Sequence, residues 1–459
     1  MTHKIVVIGA DAAGMAAAHQ ALRAARRTGR EVSIVAFEAT SHTSYSACGL
    51  PYLVAGQVDS QDALVARTAE QHRAAGIDLR MGTRVTAVDL DARTVTAQGH
   101  HGVEETGYDD LVIATGAAPV VPDWAQDEHG DPLPGTGAVS TLDDGRELLD
   151  RMAPGGDVIV AGGGYIGLEM VEAALARGHR CTLLTRGRFM HTLDSEMRQR
   201  LVDTMRKAGV DVREGAEVTG LDVEAGRVTG ARTADGQHVP GELVVLAMGL
   251  SPRTELVFGQ VPLGRRGGLL PDSRGRVDPA RGVWAAGDCC EVHHRLLHEP
   301  HFLPLGTHAN KLGRALGDNL ADPDSRLTFD GALGTAITRF AGGDQYLEIA
   351  MTGLTEEVAG EAGLDVLAAT LEGTTASGYM PEAEPIAIKV VAQRSTRRLL
   401  GAQIVGGHGA GKRIDAVAAT LWLGGTVDDL AWMDLAYAPP FATAWEVLSV
   451  AARRVAERL

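Results

Sequence analysis

The sequence predicts an α/β protein with two similar βαβ units followed by a C-terminal α+β domain. In each unit an apolar, β-branched run leads into a glycine-rich turn, an Ala-rich helix and a second apolar run. After about residue 329 the pattern changes to strands followed by helices. The predicted strands are 4–9, 32–37, 157–162, 181–184 and 387–391, and the predicted helices are 14–27, 166–177, 307–320, 412–424 and 443–458.

Length and net charge limit the number of domains and the kinds of partner that the sequence allows. A chain of 459 residues is too long for one core, so two or three domains are expected. The formal net charge of −16 opposes binding to nucleic acid or to an anionic membrane. The sequence contains no apolar run of about 18 residues, so we expect no membrane span. Four cysteines are too few for a disulfide framework, which fits a cytoplasmic protein.

The first glycine-rich turn runs from Gly9 to Gly14 and is predicted to bind a dinucleotide. Gly9 permits a tight turn, Gly14 lets the helix pack closely on the strand, and the helix N-terminus faces a pyrophosphate. Asp11 replaces the middle glycine of the motif, and Ala12 follows it. Glu38 ends the next strand, where a carboxylate can bind a ribose diol. The alternative for Glu38 is a solvated carboxylate at a strand end.

The second turn, Gly162-Gly-Gly-Tyr-Ile-Gly167, is a complete G-x-G-x-x-G motif followed by Leu168 and Glu169. The same physical argument predicts a second dinucleotide here. The candidate binding residues are Gly162, Gly164, Tyr165, Ile166, Gly167 and Glu169.

The residues at the end of the strand after this second turn indicate which nicotinamide dinucleotide binds. An NAD site usually has an acidic residue there, whereas an NADP site lacks the acid and supplies arginine for the 2′-phosphate. The sequence has Thr185-Arg186-Gly187-Arg188 and no carboxylate. Two guanidiniums can form charge-assisted bonds to a phosphate, so the pattern favours NADPH, with NADH as the alternative. The other interpretation is a pair of ordinary surface arginines.

Two further signals point to a flavin. Residues 282–288 form a strand that ends in Gly287-Asp288 and resembles the second flavin-binding fingerprint of two-dinucleotide flavoproteins. In that fingerprint the aspartate holds the ribityl chain. Thr115 and Gly116 end an apolar strand between the two glycine-rich units. The four signals, in this order, predict FAD at the N-terminal unit and a nicotinamide dinucleotide in the middle of the chain.

Cys48 is the candidate redox centre. It lies in the segment Ser44-Tyr-Ser-Ala-Cys48-Gly-Leu-Pro-Tyr52, soon after the first unit. Disulfide reductases with an internal dithiol carry a second cysteine five positions upstream, where this chain has Thr43, so Cys48 has no local partner. A helix beginning near Gly49 is expected to lower the thiol pKa from about 8.5. The alternative is a buried structural cysteine.

On these residues the sequence resembles the coenzyme A disulfide reductase and NADH oxidase branch of the FAD-dependent pyridine nucleotide-disulfide oxidoreductases, the type with a single redox cysteine. The resemblance covers essentially the whole chain. Its other markers are Pro304-Leu-Gly306, Ala309-Asn-Lys311, Lys412-Arg-Ile-Asp415 and Asp434-Leu-Ala-Tyr-Ala-Pro-Pro440.

The resemblance implies a mechanism. NADPH reduces FAD, reduced flavin passes electrons to a mixed disulfide between Cys48 and coenzyme A, and the Cys48 thiolate attacks the next substrate sulfur. Tyr379 and Tyr437 match tyrosines that reach this site from the partner subunit, which implies a homodimer. Positions that match coenzyme A contacts are Gln20, Arg23, Ser44, Asn310 and Arg453.

The resemblance also implies a division into domains. The FAD-binding domain is expected at 1–122 and 252–328, the NAD(P)H-binding domain at 123–251, and the C-terminal dimerisation domain at 329–459. The proline- and glycine-rich stretch 119–137 is the expected crossing between the first two.

Several positions depart from the family pattern. Ala47, Gln71 and Trp445 each remove a polar or positive contact that relatives offer to an anionic ligand. Ala12 stands where relatives that reduce oxygen or peroxide often carry a histidine, which weakens the hypothesis of an NAD(P)H oxidase or peroxidase. A second alternative is a flavin-based redox-sensing binding protein.

Cys289 and Cys290 follow Asp288 directly, with several histidines nearby. Adjacent cysteines rarely form a disulfide with each other, because the geometry is strained. The spacing fits no zinc pattern, so we assign no metal ligand.

Overall fold

The computed structural model describes residues 2–130, 132–152 and 155–459; Met1, Asp131, Ala153 and Pro154 fall within the expected domain ranges but outside the described residues. The strands are β1 His3–Ile8, β2 Val32–Phe37, β3 Ile77–Arg80, β4 Arg84–Asp89, β5 Thr94–Gly99, β6 Gly102–Gly107, β7 Asp110–Ile113, β8 Ala117–Pro119, β9 Thr136–Gly137, β10 Asp157–Ala161, β11 Arg180–Thr185, β12 Asp211–Glu214, β13 Val218–Glu224, β14 Arg227–Thr233, β15 His238–Pro240, β16 Leu243–Leu246, β17 Leu250–Pro252, β18 Arg276–Asp278, β19 Val283–Ala285, β20 Val292–His293, β21 Pro300–His301, β22 Ala336–Gly342, β23 Gln345–Gly353, β24 Val366–Thr374, β25 Pro385–Gln393 and β26 Leu399–Gly406. The helices are α1 Ala12–Thr28, α2 Leu50–Val54, α3 Ala69–Ala74, α4 Leu142–Arg151, α5 Tyr165–Ala176, α6 Ser195–Lys207, α7 Gly306–Ala321, α8 Glu356–Glu361, α9 Ile414–Trp422, α10 Val427–Trp432 and α11 Val447–Ala456.

The first sheet has the strand order β18-β19-β7-β1-β2-β3 and is parallel from β19 to β3. Its central strand β1 is buried on both faces, which explains its continuous apolar sequence. Ile8 lies opposite Phe37 on one side and Ile113 on the other. The carboxyl ends of three strands therefore meet at one edge, where a doubly wound sheet binds its ligand.

The second sheet repeats this design with the parallel order β12-β11-β10-β16-β9. Ala161 of β10 pairs with Leu184 and Leu246, so the ends of β10, β11 and β16 are level. Two smaller antiparallel sheets, β4-β5-β6 and β13-β14-β15, accompany the first and second sheets respectively in the chain.

The chain passes between the two sheets along a two-stranded antiparallel ribbon made of β8 and β17. Ala117 pairs with Pro252, and Pro119 pairs with Leu250. The outgoing and returning crossings thus lie side by side, close to the expected boundaries at 122/123 and 251/252. We retain those boundaries as a proposed division of the chain.

The C-terminal region forms an antiparallel sheet, β22-β23-β26-β25-β24, with α9 and α11 packed against it. Buried Lys389 of β25 ties this sheet to the second unit, because its Nζ lies 3.1 Å from Asp194, 2.6 Å from Glu196 and 2.7 Å from Glu356. A buried ammonium is stable only when paired in this way.

The C-terminal helices differ from the predicted ones. A capping box on Thr426 and Asp429 begins α10, a six-residue helix that the sequence analysis missed. The last helix begins at Val447, four residues later than predicted, with Glu446 as its N-cap. Among the described residues, no helix combines the length and apolar character needed to cross a bilayer.

Helix α7 packs closely on α1, and glycines make this approach possible. A methyl group added at Gly317 would lie 2.1 Å from the carbonyl oxygen of Ala17, and one at Gly313 would lie 2.5 Å from that of Ala13. The helices can approach to this distance only where a side chain is missing. Because α1 begins at the first glycine-rich turn, this contact fixes the helix that faces the predicted flavin site.

We expect Gly317→Ala to destabilise the protein by about 1–3 kcal/mol, because overlap outweighs alanine's better helix propensity. The measurements are the thermal unfolding midpoint and the retained flavin. Gly306→Ala is the matched control in the same helix, since nothing lies within 4 Å of its added methyl. Equal midpoints for the two variants would contradict the close-packing explanation.

Candidate active site

The first glycine-rich turn is closed by backbone contacts that exclude other residues. Gly9 has φ +96°, and an added methyl would lie 2.2 Å from the Ala114 carbonyl oxygen. A methyl on Gly14 would lie 2.0 Å from the carbonyl oxygen of Gly9. Ala12 is the first residue of α1. The turn therefore leads directly into the N-terminus of a 17-residue helix. Backbone N–H groups at a helix N-terminus provide the environment that a pyrophosphate requires.

Three carboxylates surround this turn. Glu38 accepts hydrogen bonds from the backbone N–H of Ala10 (2.9 Å) and of Thr40 (2.9 Å), so it also braces the turn from within. Burial, together with the charges of Glu38 and Asp288, raises the pKa of Asp11 to about 6 despite the opposing backbone hydrogen bond from Tyr45. Burial likewise raises the pKa of Asp288 to about 6. The predicted flavin residues from three separate segments thus converge here.

The remaining flavin candidates lie at the same sheet edge. Gly287 has φ +92°, and a methyl there would lie 3.0 Å from the side chain of Ala13. Gly116 also has a left-handed backbone, with φ +68°, and the Thr115 hydroxyl donates to the carbonyl of Arg253 at 2.5 Å. These contacts place Thr115 and Gly116 beside the ribbon that leads to the second unit.

The second glycine-rich turn is built in the same way. Gly162 has φ +131°, and a methyl there would lie 1.9 Å from the Ala247 carbonyl oxygen. A methyl on Gly167 would lie 2.2 Å from the Gly162 carbonyl oxygen. In contrast, a methyl group added at Gly164, the N-cap of α5, would have no atom within 4 Å. The turn is closed on the protein side and open on the side that a dinucleotide would occupy.

Helix α5 carries the other candidates of the second unit. Tyr165 and Ile166 open the helix and pack against the apolar core beneath it. Glu169 accepts a hydrogen bond from the hydroxyl of Thr338, at 3.1 Å. Burial raises the pKa of Glu169 to about 7.

The two predicted phosphate-binding arginines differ in their surroundings. Arg186 is 79% exposed, and its nearest carboxylate is Glu217 at 3.8 Å. Arg188 forms an ion pair with Glu357 of the C-terminal region at 2.8 Å. Arg186 therefore has the guanidinium that is more available to a ligand.

The segment that carries Cys48 is fastened to the first glycine-rich turn. The hydroxyl of buried Thr43 donates to the carbonyl oxygen of Ala10, and the N–H of Tyr45 donates to Asp11 at 3.2 Å. Cys48 itself lies in a short 3-10 turn, Ala47–Gly49, that precedes α2, and it is exposed in the single chain. This placement opposes the alternative of a buried structural cysteine.

The expected depression of the Cys48 pKa is wrong for the chain by itself. Partial desolvation by the surrounding protein raises the pKa of Cys48, and the charges of Glu169 and Asp288 raise it further. The helix that follows has only five residues and does not offset these effects. The same electrostatic influence shows that Cys48 lies near both dinucleotide units.

The two predicted tyrosines lie elsewhere on the surface of the single chain. Tyr379 is 75% exposed and Tyr437 is 51% exposed. A backbone hydrogen bond from Ser377 to Pro439, at 2.9 Å, holds their segments side by side. Both side chains are available to a second copy of the chain.

The predicted coenzyme A contacts divide into exposed and internal residues. Gln20 is buried, donates to Asp318 at 2.6 Å and accepts from Arg23 at 2.9 Å, so it supports Arg23 from inside. Asn310 is exposed on α7 and donates to the carbonyl of Gly306 at 2.8 Å. Arg453 stacks over Trp445, with the guanidinium carbon 4.8 Å from the ring centroid.

The sequence analysis missed a basic cluster beside Ser44. Burial lowers the pKa of Arg23, and the charges of Arg314 and Arg67 lower it further against the opposing charge of Asp318. The three guanidiniums therefore lie close together. In the part of the chain that the structure describes, none of them forms an ion pair with a carboxylate. Unpaired arginines that repel one another are the expected environment for an anionic ligand. Only their convergence from three distant segments reveals the cluster.

Two histidines join this cluster to Ser44. His72 Nε2 lies 3.0 Å from the hydroxyl of Ser44, and His72 Nδ1 lies 2.7 Å from His19 Nε2. His19 in turn lies 2.8 Å from Arg67. Neither histidine was a sequence candidate, because each stands alone in its segment.

Cys289 and Cys290 are buried thiols whose sulfur atoms are 3.8 Å apart. The hydrogen bond with Cys290 lowers the pKa of Cys289 against the opposing effect of burial, and hydrogen bonds with Gly116 and Thr115 lower it further. In the residues 2–130, 132–152 and 155–459, no group of three or more His, Cys, Asp or Glu side chains is arranged to hold a metal ion.

The two dinucleotide turns and the exposed thiol between them define the class of protein: a flavin- and pyridine-nucleotide-dependent oxidoreductase. The family model for the pyridine nucleotide-disulphide oxidoreductases matches residues 3–303, and that for their dimerisation domain matches residues 345–448. The chain therefore belongs to the pyridine nucleotide-disulphide oxidoreductase family, which confirms the resemblance and the fold class predicted from the sequence. Membership implies FAD and NAD(P)H as cofactors.

The relatives span two activities. An NAD(P)H coenzyme A polysulfide/persulfide reductase of Pyrococcus horikoshii is 35% identical, with 99% of this chain and 98% of the relative covered. The structure of a NAD-dependent persulfide reductase from A. fulgidus gives a TM-score of 0.90 at 32% identity, with 99% and 83% covered. The structure of a water-forming NADH oxidase from Lactobacillus brevis, bound to NADH, gives a TM-score of 0.91 at 25% identity, with 100% of this chain and 99% of that chain covered.

An engineered NADPH oxidase derived from that enzyme is also similar, with a TM-score of 0.90 at 25% identity and coverage of 99% and 98%. It was crystallised with NADPH. Its substitutions include aspartate to alanine and, at the next position, alanine to arginine.

Proposed function

We propose that this protein is an NAD(P)H-dependent flavoprotein that reduces coenzyme A disulfide, or a related low-molecular-weight disulfide or persulfide, through Cys48. The observation that carries the proposal is the position of Cys48. Its exposed thiol lies within the electrostatic influence of Glu169 from the second unit and Asp288 from the first. A single reactive thiol between two dinucleotide sites is suited to thiol–disulfide exchange.

The closed glycine turns fit the two cofactors, because a methyl group added at Gly9 or Gly162 would strike a neighbouring backbone carbonyl and force open the turn that leads to the helix N-terminus. FAD would be held by Gly9, Asp11, Ala12, Gly14, Glu38, Thr115, Gly116, Gly287 and Asp288. The nicotinamide dinucleotide would be held by Gly162, Gly164, Tyr165, Ile166, Gly167, Glu169, Arg186 and Arg188. Together these cofactors supply the electron pair that reduces the enzyme.

Cys48 carries the covalent step of the proposed mechanism. Its thiolate attacks one sulfur of the substrate disulfide, the substrate S–S bond breaks, and one thiolate leaves while the other half remains on Cys48 as a mixed disulfide. Two electrons from the cofactors then release the second thiol and return Cys48 to the thiolate. The chain by itself raises the Cys48 pKa, and we propose that a group bound at the site favours the thiolate.

A second copy of the chain would complete the site. The dimerisation domain supports a homodimer, and Tyr379 and Tyr437 are exposed on the domain that would meet the partner. A phenol hydroxyl can donate a proton or hydrogen bond to the departing thiolate. We propose this role for the two tyrosines of the opposite copy.

NADPH is the proposed electron donor. Arg186 is the exposed guanidinium at the end of β11, where the sequence lacks an acid. The loss of an aspartate and the gain of an arginine in the NADPH-bound engineered oxidase support the same chemistry. Arg188 is a second candidate but already pairs with Glu357.

The basic cluster favours a polyanionic thiol such as coenzyme A. Arg23, Arg67 and Arg314 concentrate positive charge in a chain whose net charge is −16. Arg67 lies four residues before Gln71 and supplies the positive charge that Gln71 does not. The name of the Pyrococcus relative points to the same substrate class.

Oxygen reduction is the second candidate, because the Lactobacillus brevis relative is an NADH oxidase. Position 12 is alanine here, so the acid or base that would handle a hydroperoxide is missing at that position. Oxygen consumption with NAD(P)H and no disulfide distinguishes this activity.

Cys48→Ser is expected to abolish NADPH-dependent disulfide reduction, by about 10³-fold or more, because a hydroxyl cannot replace the nucleophilic thiolate. The rate is measured as disulfide-dependent NADPH oxidation under anaerobic conditions. Cys181→Ser is the control, since burial raises the pKa of the Cys181 thiol to about 12 and makes it unreactive. Retention of the wild-type rate in Cys48→Ser would sink the proposed mechanism.

Arg186→Ala is expected to raise the KM for NADPH by about tenfold and to leave the KM for NADH unchanged, because a charge-assisted bond to the 2′-phosphate is lost. Lys207→Ala, an equal change of charge at the end of α6, is the control. An equal rise in the KM values for NADPH and NADH would contradict the assignment of Arg186 to the 2′-phosphate.

Arg67→Gln combined with Arg314→Gln is expected to raise the KM for coenzyme A disulfide by about tenfold or more while sparing pantethine, which lacks the nucleotide phosphates. The comparison uses steady-state kinetics at low ionic strength. Arg227→Gln on the hairpin β13-β14, combined with Arg84→Gln at the start of β4, is the charge-matched control. A similar loss for both disulfides would show that the cluster does not recognise the phosphates.

A further inference from the structure

Arg188, the second candidate for the 2′-phosphate, is held by a carboxylate from a distant part of the chain. Its Nη1 donates to both carboxylate oxygens of Glu357, at 3.0 and 2.8 Å, and Glu357 lies 169 positions later in the sequence. Glu357 belongs to the first turn of α8, in the C-terminal region. Both side chains are open to solvent, since Arg188 is 59% and Glu357 is 51% exposed. A ligand that reaches this guanidinium therefore finds its charge already neutralised.

The contact between Arg188 and Glu357 is built into the packing of the C-terminal region on the second unit. The backbone N–H groups of Glu356 and Glu357 donate to the carboxylate of Asp194, at 3.1 and 3.3 Å. Asp194 lies six residues after Arg188, is only 5% exposed, and is itself paired with the ammonium of Lys389 at 3.1 Å. The backbone of Glu357 is thus fixed beside the loop that carries Arg188, so its carboxylate remains near the guanidinium even if the ion pair opens.

The loop that carries Arg188 also touches the second glycine-rich turn. The N–H of Phe189 donates to Glu214 at 2.8 Å, and the N–H of Met190 donates to the carbonyl oxygen of Gly163 at 2.6 Å. A methyl group added at Gly163 would lie 3.2 Å from the Cα of Phe189. In a G-x-G-x-x-G unit the pyrophosphate lies at this turn, and the adenosine ribose extends to the end of the second strand. Arg188 follows the end of that strand, β11, by three residues and so belongs to the ribose end of the proposed site.

We infer that Glu357 is a specificity-determining residue, which weakens the binding of a 2′-phosphate by holding Arg188 and thereby keeps NADH an effective competitor of NADPH. The inference rests on the proposed 2′-phosphate site and goes beyond it by assigning nucleotide choice to a residue of the C-terminal region. A phosphate group is close to a dianion at neutral pH, so a carboxylate on the same arginine repels it. NADH carries an uncharged 2′-hydroxyl and leaves the ion pair intact.

Glu357→Gln tests the inference as a gain of binding, which a folding defect cannot imitate. Two probes isolate the 2′-phosphate without electron transfer: adenosine 2′,5′-bisphosphate and adenosine 5′-monophosphate, titrated into the flavin-loaded protein and followed by calorimetry. The dissociation constant of the bisphosphate is expected to fall by about two- to fivefold, the range of one exposed ion pair, while that of the monophosphate stays unchanged. The KM values for NADPH and NADH should follow the same pattern.

Glu361→Gln is the matched control, because it removes an equal charge from an exposed residue of the same helix, one turn farther on. Arg188→Ala should weaken binding of the bisphosphate. In the double variant Arg188→Ala with Glu357→Gln, the gain from the glutamine should shrink to the size seen with Glu361→Gln. An unchanged dissociation constant for the bisphosphate in Glu357→Gln, an equal gain for the monophosphate, or the full gain in the absence of Arg188 would overturn the inference.

The same titrations separate this inference from the proposed function. If Arg186→Ala weakens the bisphosphate more than the monophosphate but Glu357→Gln brings no gain, the 2′-phosphate site stands and only the inference fails. If neither Arg186→Ala nor Arg188→Ala distinguishes the two probes, the 2′-phosphate assignment fails and the inference fails with it. If Glu357→Gln brings the predicted gain but the wild type shows no disulfide-dependent oxidation of NADPH, the reductase function fails and the inference stands.

Discussion

Two hydrogen bonds fix the position of the segment that carries Cys48, the thiol through which we propose that the protein acts. Thr43 donates to the Ala10 carbonyl and Tyr45 donates to Asp11, so the segment that carries Cys48 is attached to the first glycine-rich turn. That turn is itself fixed, because its glycines touch the backbone of the neighbouring strand. The thiol therefore inherits its position from the same sheet edge that would bind the flavin. Thr43 stands where disulfide reductases with an internal dithiol have a second cysteine, and its hydroxyl instead attaches the segment to the Ala10 carbonyl.

The site separates two electrostatic environments. Asp11, Glu38 and Asp288 lie together on the flavin side. Burial raises the pKa of Cys48, and the charges of Glu169 and Asp288 raise it further. The arginines beside Ser44 collect positive charge on the other side. A polyanionic substrate would neutralise the arginines without disturbing the acidic group. We propose that this separation lets an acidic protein bind a polyanionic thiol or disulfide beside Cys48.

The sequence predicted those features that repeat locally, and it missed those that depend on distant segments meeting. The period of apolar residues and the glycine spacing located both βαβ units. Gly9 and Gly162 must be glycine, because a side chain at either position would overlap the neighbouring backbone. Arg67, Arg314 and His72 carry no such local signal, because a lone arginine or histidine is usually a surface residue. The pKa of Cys48 was predicted in the wrong direction because a helix end can be read from sequence, whereas burial and the approach of Glu169 cannot. The hydrogen bond of Gln20 to Asp318 could not be predicted either, because the two residues are nearly 300 positions apart in the sequence.

The ribbon formed by β8 and β17 bears on how such a protein can arise. The chain leaves the first sheet at Ala117 and returns at Pro252, and these two residues are paired neighbours. A segment whose ends emerge side by side can be spliced into a host fold without stretching it. The second unit thus has the geometry of a cassette inserted into the first. Lys389, whose ammonium pairs with Asp194 and Glu196, holds that second unit in one orientation against the C-terminal sheet.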